Sequence, residues 1–270
     1  MNAADLTQAP PKAPFAWRRL SDIVQFGLFA GLVAYAVVYG AGRMGYNWQW
    51  YRVPAFFVRS IQGELYPGPL VKGLLVTLEI SALALVLTVL FGLAAAVLRQ
   101  SGSIVGGGLV RVYVEAIRNT PLLVQLYLFY FVLSPILGID RYWTGILCLA
   151  VFEGAFAAEI FRAGIEAVPK GQWEAGRSLG LSTARLYRHI VLPQALRLVL
   201  PPLTGLSVSL VKHSSIVSVI AVFDLTNEGR NVIADTFLTF EIWIAVAAVY
   251  LIVTGSMSAA VGVLERRLKT

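Results

Sequence analysis

Six long apolar runs divide this chain, and they decide its solvent. They cover approximately Ile23–Gly42, Leu70–Leu98, Val110–Leu137, Tyr142–Phe161, Leu198–Phe223 and Ile242–Leu264. A helix rises about 1.5 Å per residue, so about 20 apolar residues cross the roughly 30 Å of a bilayer's hydrocarbon. Each run is long enough. The expected fold is an all-α integral membrane protein of about six transmembrane helices. Charge agrees: 14% of the 270 residues are Asp, Glu, Lys or Arg, against about a quarter in an ordinary soluble domain. The net charge of +7 is not a nucleic-acid signature, because the basic residues sit in the gaps between runs and form no stripe with stacking aromatics. A lone cysteine, Cys148, excludes a disulfide within the chain.

The first run follows Lys12, Arg18 and Arg19 and contains Ala34-Tyr35-Ala36. The apolar stretch continues past that point, so it reads as a span and not as a cleaved signal peptide. Orientation follows from Lys and Arg in the loops. With the N-terminus in the cytoplasm, the inner segments hold thirteen basic residues and the outer ones six. Both termini are then cytoplasmic. Residues 1–20 read as a Pro- and Ala-rich cytoplasmic tail, 21–69 as a span followed by an outer loop, 70–264 as the membrane core and 265–270 as a second cytoplasmic tail. The Arg43–Pro69 loop carries Tyr46, Trp48, Trp50, Tyr51, Phe56 and Phe57, amphipathic rings that suit the outer interface. The very short Leu137–Arg141 turn makes the third and fourth spans antiparallel neighbours. Asp224–Phe240 reads as an acidic outer loop.

One stretch does not belong in oil. "GQWEAGRSLGLSTARLYRHIVLPQALR", Gly171–Arg197, is basic and punctuated by glycine. Pro169 suits the first position of a short helix, and Gly180 a left-handed stop. Ser182 is placed to cap a second helix in which Leu186 and Ile190, and Tyr187 and Val191, repeat at helical spacing. Arg185, Arg188 and His189 decorate the other face, and Pro193 ends or bends the helix. The insert, within a 166–196 loop, is expected to be two short amphipathic helices on the cytoplasmic side. Two roles are open to such a pair: resting on anionic lipid, or docking a soluble partner.

Glu174, Ala175, Gly176, Gly180, Ile190, Leu192 and Pro193 stand at the spacings of the EAA loop, which this insert resembles. That loop is found in permease subunits of prokaryotic ABC importers; the departure is Gly176 where the pattern has a second Ala. "GLLVTLEIS" (Gly73–Ser81), "RNTPLLVQLYLFY" (Arg118–Tyr130), "AEIFRAGI" (Ala158–Ile165) and "LPQALR" (Leu192–Arg197) are similar, in order, to the branch that carries polar amino acids. The resemblance runs from about Leu70 to the C-terminus. It implies a five-helix core plus an extra N-terminal helix, in a bacterial inner membrane. It also implies a cytosolic ATPase dimer docked on Glu174, Ala175, Gly176, Gly180, Ile190 and Pro193, a second permease chain and an extracytoplasmic substrate-binding protein. ATP and Mg would sit on the ATPase; this chain has no Gly-x-x-x-x-Gly-Lys-Ser/Thr loop to hold phosphates. It shows no nucleophile set, and its two histidines are too few for a metal cage. A transport subunit without catalysis or cofactors is expected. The rival reading is a secondary transporter or channel working without ATP. Such proteins often show inverted repeats and broken spans, neither of which is evident, and that reading leaves the insert unexplained.

Charges deep in a span need a reason. Glu79, Glu153 and Lys212 fall at about one depth, with Gln125, His213 and Ser214 near them. Two readings fit: a structural pair of Lys212 with Glu153 or Glu79, or a layer that binds a zwitterionic amino acid. In the similar permeases an acidic residue usually stands where this chain has His213, which bears on the charge of the substrate. Glu115 with Arg118, and Glu159 with Arg162, read as structural pairs near the inner ends.

Overall fold

The computed structural model describes residues 15–268, and within it the apolar runs are helices whose ends are set by identifiable residues. The chain forms two units, Met1–Trp48 and Gln49–Thr270. The described part of the first is α1 (Phe15–Arg43). Every residue from Asp22 to Gly40 is exposed, as lipid-facing surface would be for so apolar a helix. Most of the expected N-terminal tail lies outside the described residues.

The second unit begins with the one departure, among the described residues, from an all-helical fold. A 3₁₀ turn (Trp50–Arg52) and α2 (Pro54–Phe57) lead into a hairpin of β1 (Val58–Ile61) and β2 (Glu64–Pro67), antiparallel with Ile61 opposite Glu64. Gln62 and Gly63 both have positive φ, 54° and 85°, the combination that a two-residue hairpin turn demands. The segment before it is folded down. Val53 and Phe56 bury against Leu70, Leu225, Leu238 and Ile242, and the Gln49 N–H donates to Glu241 Oε1 at 2.7 Å. The part of the expected interfacial loop that lies in this unit, 49–67, is therefore a small folded cap on the cluster of Leu70, Leu225 and Ile242.

α3 (Pro69–Gln100) and α7 (Arg141–Glu166) form the most extensive helix pair. Pro69 opens α3, where a missing N–H costs nothing; Asp140 caps α7 by accepting from the Trp143 N–H at 3.0 Å. Small residues let the backbones approach, as membrane helices require in the absence of a strong hydrophobic drive: a Cβ on Gly92 would collide with Ala157. Ile80, Ala84, Leu126, Ile146, Leu149 and Leu210 make the central core.

The third run is not one helix. α4 (Ile104–Arg118) and α5 (Leu122–Leu128) are separated at Asn119–Pro121; a π-helical turn (Phe129–Leu133) and α6 (Ser134–Leu137) continue the second half. The halves meet at 111°. Pro121 lacks an N–H and pushes Thr120 out of the helical region. The fifth run also differs. α8 (Lys170–Ser178) is followed by α9 (Thr183–Leu186), a π-helical turn (Tyr187–Val191) and α10 (Leu192–Ser214), which join end to end. Pro193 does not stop this run. A widened turn precedes it, with the Leu192 N–H reaching back to Tyr187 O, as happens where the regular ladder is interrupted.

A 3₁₀ stretch (Ser215–Ile220) and left-handed Ala221 (φ 58°) lead to α11 (Leu225–Thr236), capped by the Asp224 carboxylate. The expected outer loop is thus largely a helix. It packs on α3 and on α12 (Thr239–Leu268). Among the described residues five helices are long and apolar enough to cross a membrane, or six with the bent pair counted as one span.

Candidate functional site

Between α7 and α10 lies a cavity of about 270 Å³ lined by Glu153, Phe156, Ile160, Leu206, Ser209 and His213. Glu153 stands mid-helix with its side chain 3% exposed, and its Oε1 lies 2.5 Å from His213 Nδ1. The His213 side chain is 44% exposed and its ring meets Phe152 edge-on at 5.8 Å. A buried carboxylate is expensive unless paired; here the imidazole supplies the partner.

That pairing goes against one of the two readings of the sequence, a structural pair of Lys212 with Glu153 or Glu79. Lys212 is exposed and has no ion pair among the described residues. One residue along a helix turns the side chain by about 100°, so His213 faces α7 and Lys212 does not. Glu79 is exposed on α3. Ser214 is fully buried and its Oγ donates to Val211 O at 2.8 Å. Gln125 is occupied elsewhere: its Nε2 donates to Ile117 O at 2.8 Å and Thr120 Oγ1 at 2.6 Å. It staples the broken span by satisfying a carbonyl at the end of α4. Of the deep polar set, the structure joins Glu153 with His213.

Nearer the ends of α3 and α7, Glu159 bridges Arg99 (2.7 Å) and Arg162 (2.8 Å), and Arg162 also reaches Glu166 at 2.5 Å. The expected Glu115–Arg118 pair is absent. Glu115 instead accepts from Asn119 Nδ2 at 3.0 Å, and Arg118 lies over the Phe156 ring, 5.6 Å from its centre.

The insert is anchored from below and open above. α8 ends with Gly180 at φ 69°; the Gly180 N–H donates to Arg177 O at 2.9 Å and the Leu181 N–H to Gly176 O at 3.2 Å. That is a Schellman stop, for which glycine is the unstrained residue. Gly176 is buried, and a Cβ there would run into Leu186 and Ile190. The Gly-for-Ala departure lets the helices close together. Trp173 meets Tyr187 edge-on at 5.2 Å, and Tyr187 OH donates to Gln100 Oε1 at 2.6 Å. Pro169 stands one place before the first helical residue, and Ser182 holds the N-cap position without a side-chain bond. Glu174, Ala175 and Pro193 are exposed, Ile190 is half-buried, and Leu179 is 78% exposed. Arg177, Arg185 and Arg188 are exposed as well.

A family model described as "Binding-protein-dependent transport system inner membrane component" matches residues 88–270. The chain belongs to that family. It is the membrane-embedded permease component of an ABC importer, the part that forms the translocation pathway, and the EAA pattern at Glu174–Pro193 is typical of the family. The probable glutamine ABC transporter permease protein GlnM of Bacillus subtilis (strain 168) is 41% identical over 194 residues, 72% of this chain and 90% of that one. The glutamine transport system permease protein GlnP of Escherichia coli (strain K12) is 39% identical over 203 residues, 74% of this chain and 93% of that one. A solved amino acid ABC transporter with histidines superposes with a TM-score of 0.70 at 39% identity, over 74% of this chain and 94% of that one. The inward-facing MetNI methionine transporter, 21% identical with a TM-score of 0.62, shares the fold. In this permease the signal that sequence reading passed over is Asn119-Thr120-Pro121, a turn tripeptide within an apolar run.

Proposed function

We propose that this permease carries polar amino acids, with neutral side chains such as the amide of glutamine as its main class. The observation that carries the reading is the Glu153–His213 pair at the α7–α10 cavity. It puts hydrogen-bonding groups in the pathway while compensating the carboxylate internally, so a cationic side chain finds no free anion there. The relatives named for glutamine support it. The exposed face of α8, with Glu174 and Ala175, docks a cytosolic ATPase that holds Mg and ATP. A second permease chain, identical or related, completes the pathway, and an extracytoplasmic binding protein delivers the substrate. The basic-residue bias supports cytoplasmic placement of both termini and of α8.

The test is uptake by the complete complex in liposomes, with radiolabelled glutamine, glutamate and lysine. ATP-dependent uptake with glutamine preferred is expected. Preference for lysine would overturn the substrate class, and uptake indifferent to ATP would favour a secondary transporter. For topology, Thr183→Cys in a Cys148→Ala background should resist impermeant reagents in intact cells and react after permeabilisation; labelling in intact cells would invert the orientation.

A further inference from the structure

A second cavity, about 590 Å³, lies on the same face of α7 and shares Phe156 and Ile160 with the first. Its volume falls within the roughly 300–1,000 Å³ of small-molecule sites. Glu159 and Arg162 border it on one side, Leu198 and Pro202 of α10 on another, and Arg118 on the third. From Glu153 to Glu159 is six residues, about 9 Å along α7. The cavities therefore form one groove running from the Glu153–His213 pair towards the insert.

The charges in this lower cavity do not cancel. Arg99 and Arg162 are both spent on Glu159 and Glu166. Arg118 is exposed and has no carboxylate partner among the described residues; the Phe156 ring is its contact. Among the charged residues that line the cavity, Arg118 and Arg162 stand against Glu159, and the uncompensated positive charge is at Arg118. An aromatic ring engages the face of a guanidinium, leaving the N–H groups along its edge for a carboxylate in bidentate geometry. The residue is also fixed in place. It is the last of α4, just before the Pro121 break that Gln125 staples shut.

We infer that Arg118 is a second station on the pathway, a guanidinium that receives the carboxylate of the amino acid after it leaves the Glu153–His213 level. This rests on the reading of the α7–α10 groove as the substrate's route. The groups divide the work: the upper cavity meets the variable, uncharged part of the substrate, and Arg118 meets the carboxylate that every amino acid shares.

The experiment uses the intact permease–ATPase complex, with Ile160→Cys as reporter in the Cys148→Ala background, because Ile160 lines both cavities. Alkylation by a water-soluble thiol reagent is timed with glutamine present and with its decarboxylated analogue. Glutamine should slow alkylation and the analogue should not. Arg118→Gln should weaken protection about tenfold, the loss of one charge-assisted pair. Arg118→Lys should recover part of it. Equal protection by glutamine and its analogue overturns the inference without any Arg118 variant, so a variant that fails to assemble does not shelter it. Full protection by glutamine in Arg118→Gln also overturns it while leaving the groove reading intact. A reporter thiol that the reagent never reaches sinks the groove reading itself.

Discussion

Replacing His213 with alanine should cost more stability than replacing Glu153 with glutamine, although both break the same bond. The asymmetry comes from exposure: the Glu153 side chain is 3% exposed and that of His213 44%. In His213→Ala the carboxylate is left buried without its partner, a loss of about 3–5 kcal/mol. In Glu153→Gln the imidazole turns to water and the amide is neutral, so the cost falls towards the roughly 1 kcal/mol of an ordinary hydrogen bond. For a body of this size about 1 kcal/mol moves a melting midpoint by about 2–4 °C. His213→Ala should then melt about 6–20 °C below wild type, and Glu153→Gln within about 4 °C. The double variant should recover most of the loss, since the unpaired carboxylate is gone; a double-mutant cycle on purified complex in nanodiscs isolates the coupling. Transport should follow, with His213→Ala gaining uptake of lysine as the freed carboxylate accepts its ammonium. A His213→Ala protein that melts with wild type, or a double variant no more stable than His213→Ala alone, refutes the account of the pair.

Three further outcomes are expected. Gly176→Leu should force α8 off Leu186 and Ile190, so that co-purification with the ATPase falls while the permease remains in the membrane. Gln125→Leu strips a partner from Ile117 O and Thr120 Oγ1 and should cost about 1–3 kcal/mol, read as a lowered midpoint. Burial pushes the Asp224 carboxyl up to about 6. The folded protein therefore holds this proton where the unfolded chain releases it, and stability falls as pH rises from about 4 to about 6. Asp224→Asn keeps a capping side chain and should flatten that slope in pH-dependent melting; an unchanged slope would assign it to other groups.

What could be read from the sequence divides along physical lines. Span lengths and the insert's spacings were legible because they depend on composition and on residues close in the chain. Gly180 was legible for the same reason: a left-handed stop is a local matter. Lys212 against His213 was not, because which of two adjacent residues faces α7 depends on where α7 lies. The broken third span left a local sign in Pro121, outweighed by the apolar run around it. α11 was hidden because its turn-like Asn227-Glu228-Gly229 and polar face mimic a loop, while Leu225 and Val232 bury in a cluster with Val53, Phe56 and Leu70, far away in sequence. The hairpin's strands are four residues each, too short for alternation to register.

The unbroken run from Thr183 through Ser214 gives the molecule a drive shaft. Its 32 residues would extend about 48 Å. At one end Leu186 seats the α8 glycine, so α8 grips the shaft and cannot slide freely past it. At the other end His213 holds Glu153. The regular ladder is interrupted at the π-helical turn and at Pro201-Pro202, so any turn of the run about its axis would be partly taken up there before it reached the residues beside α7. Such a rotation carries His213 off Glu153 in one direction and brings Lys212 towards it in that same stroke. The Glu153–His213 separation would thus register a turn of the run that begins at its Leu186 end.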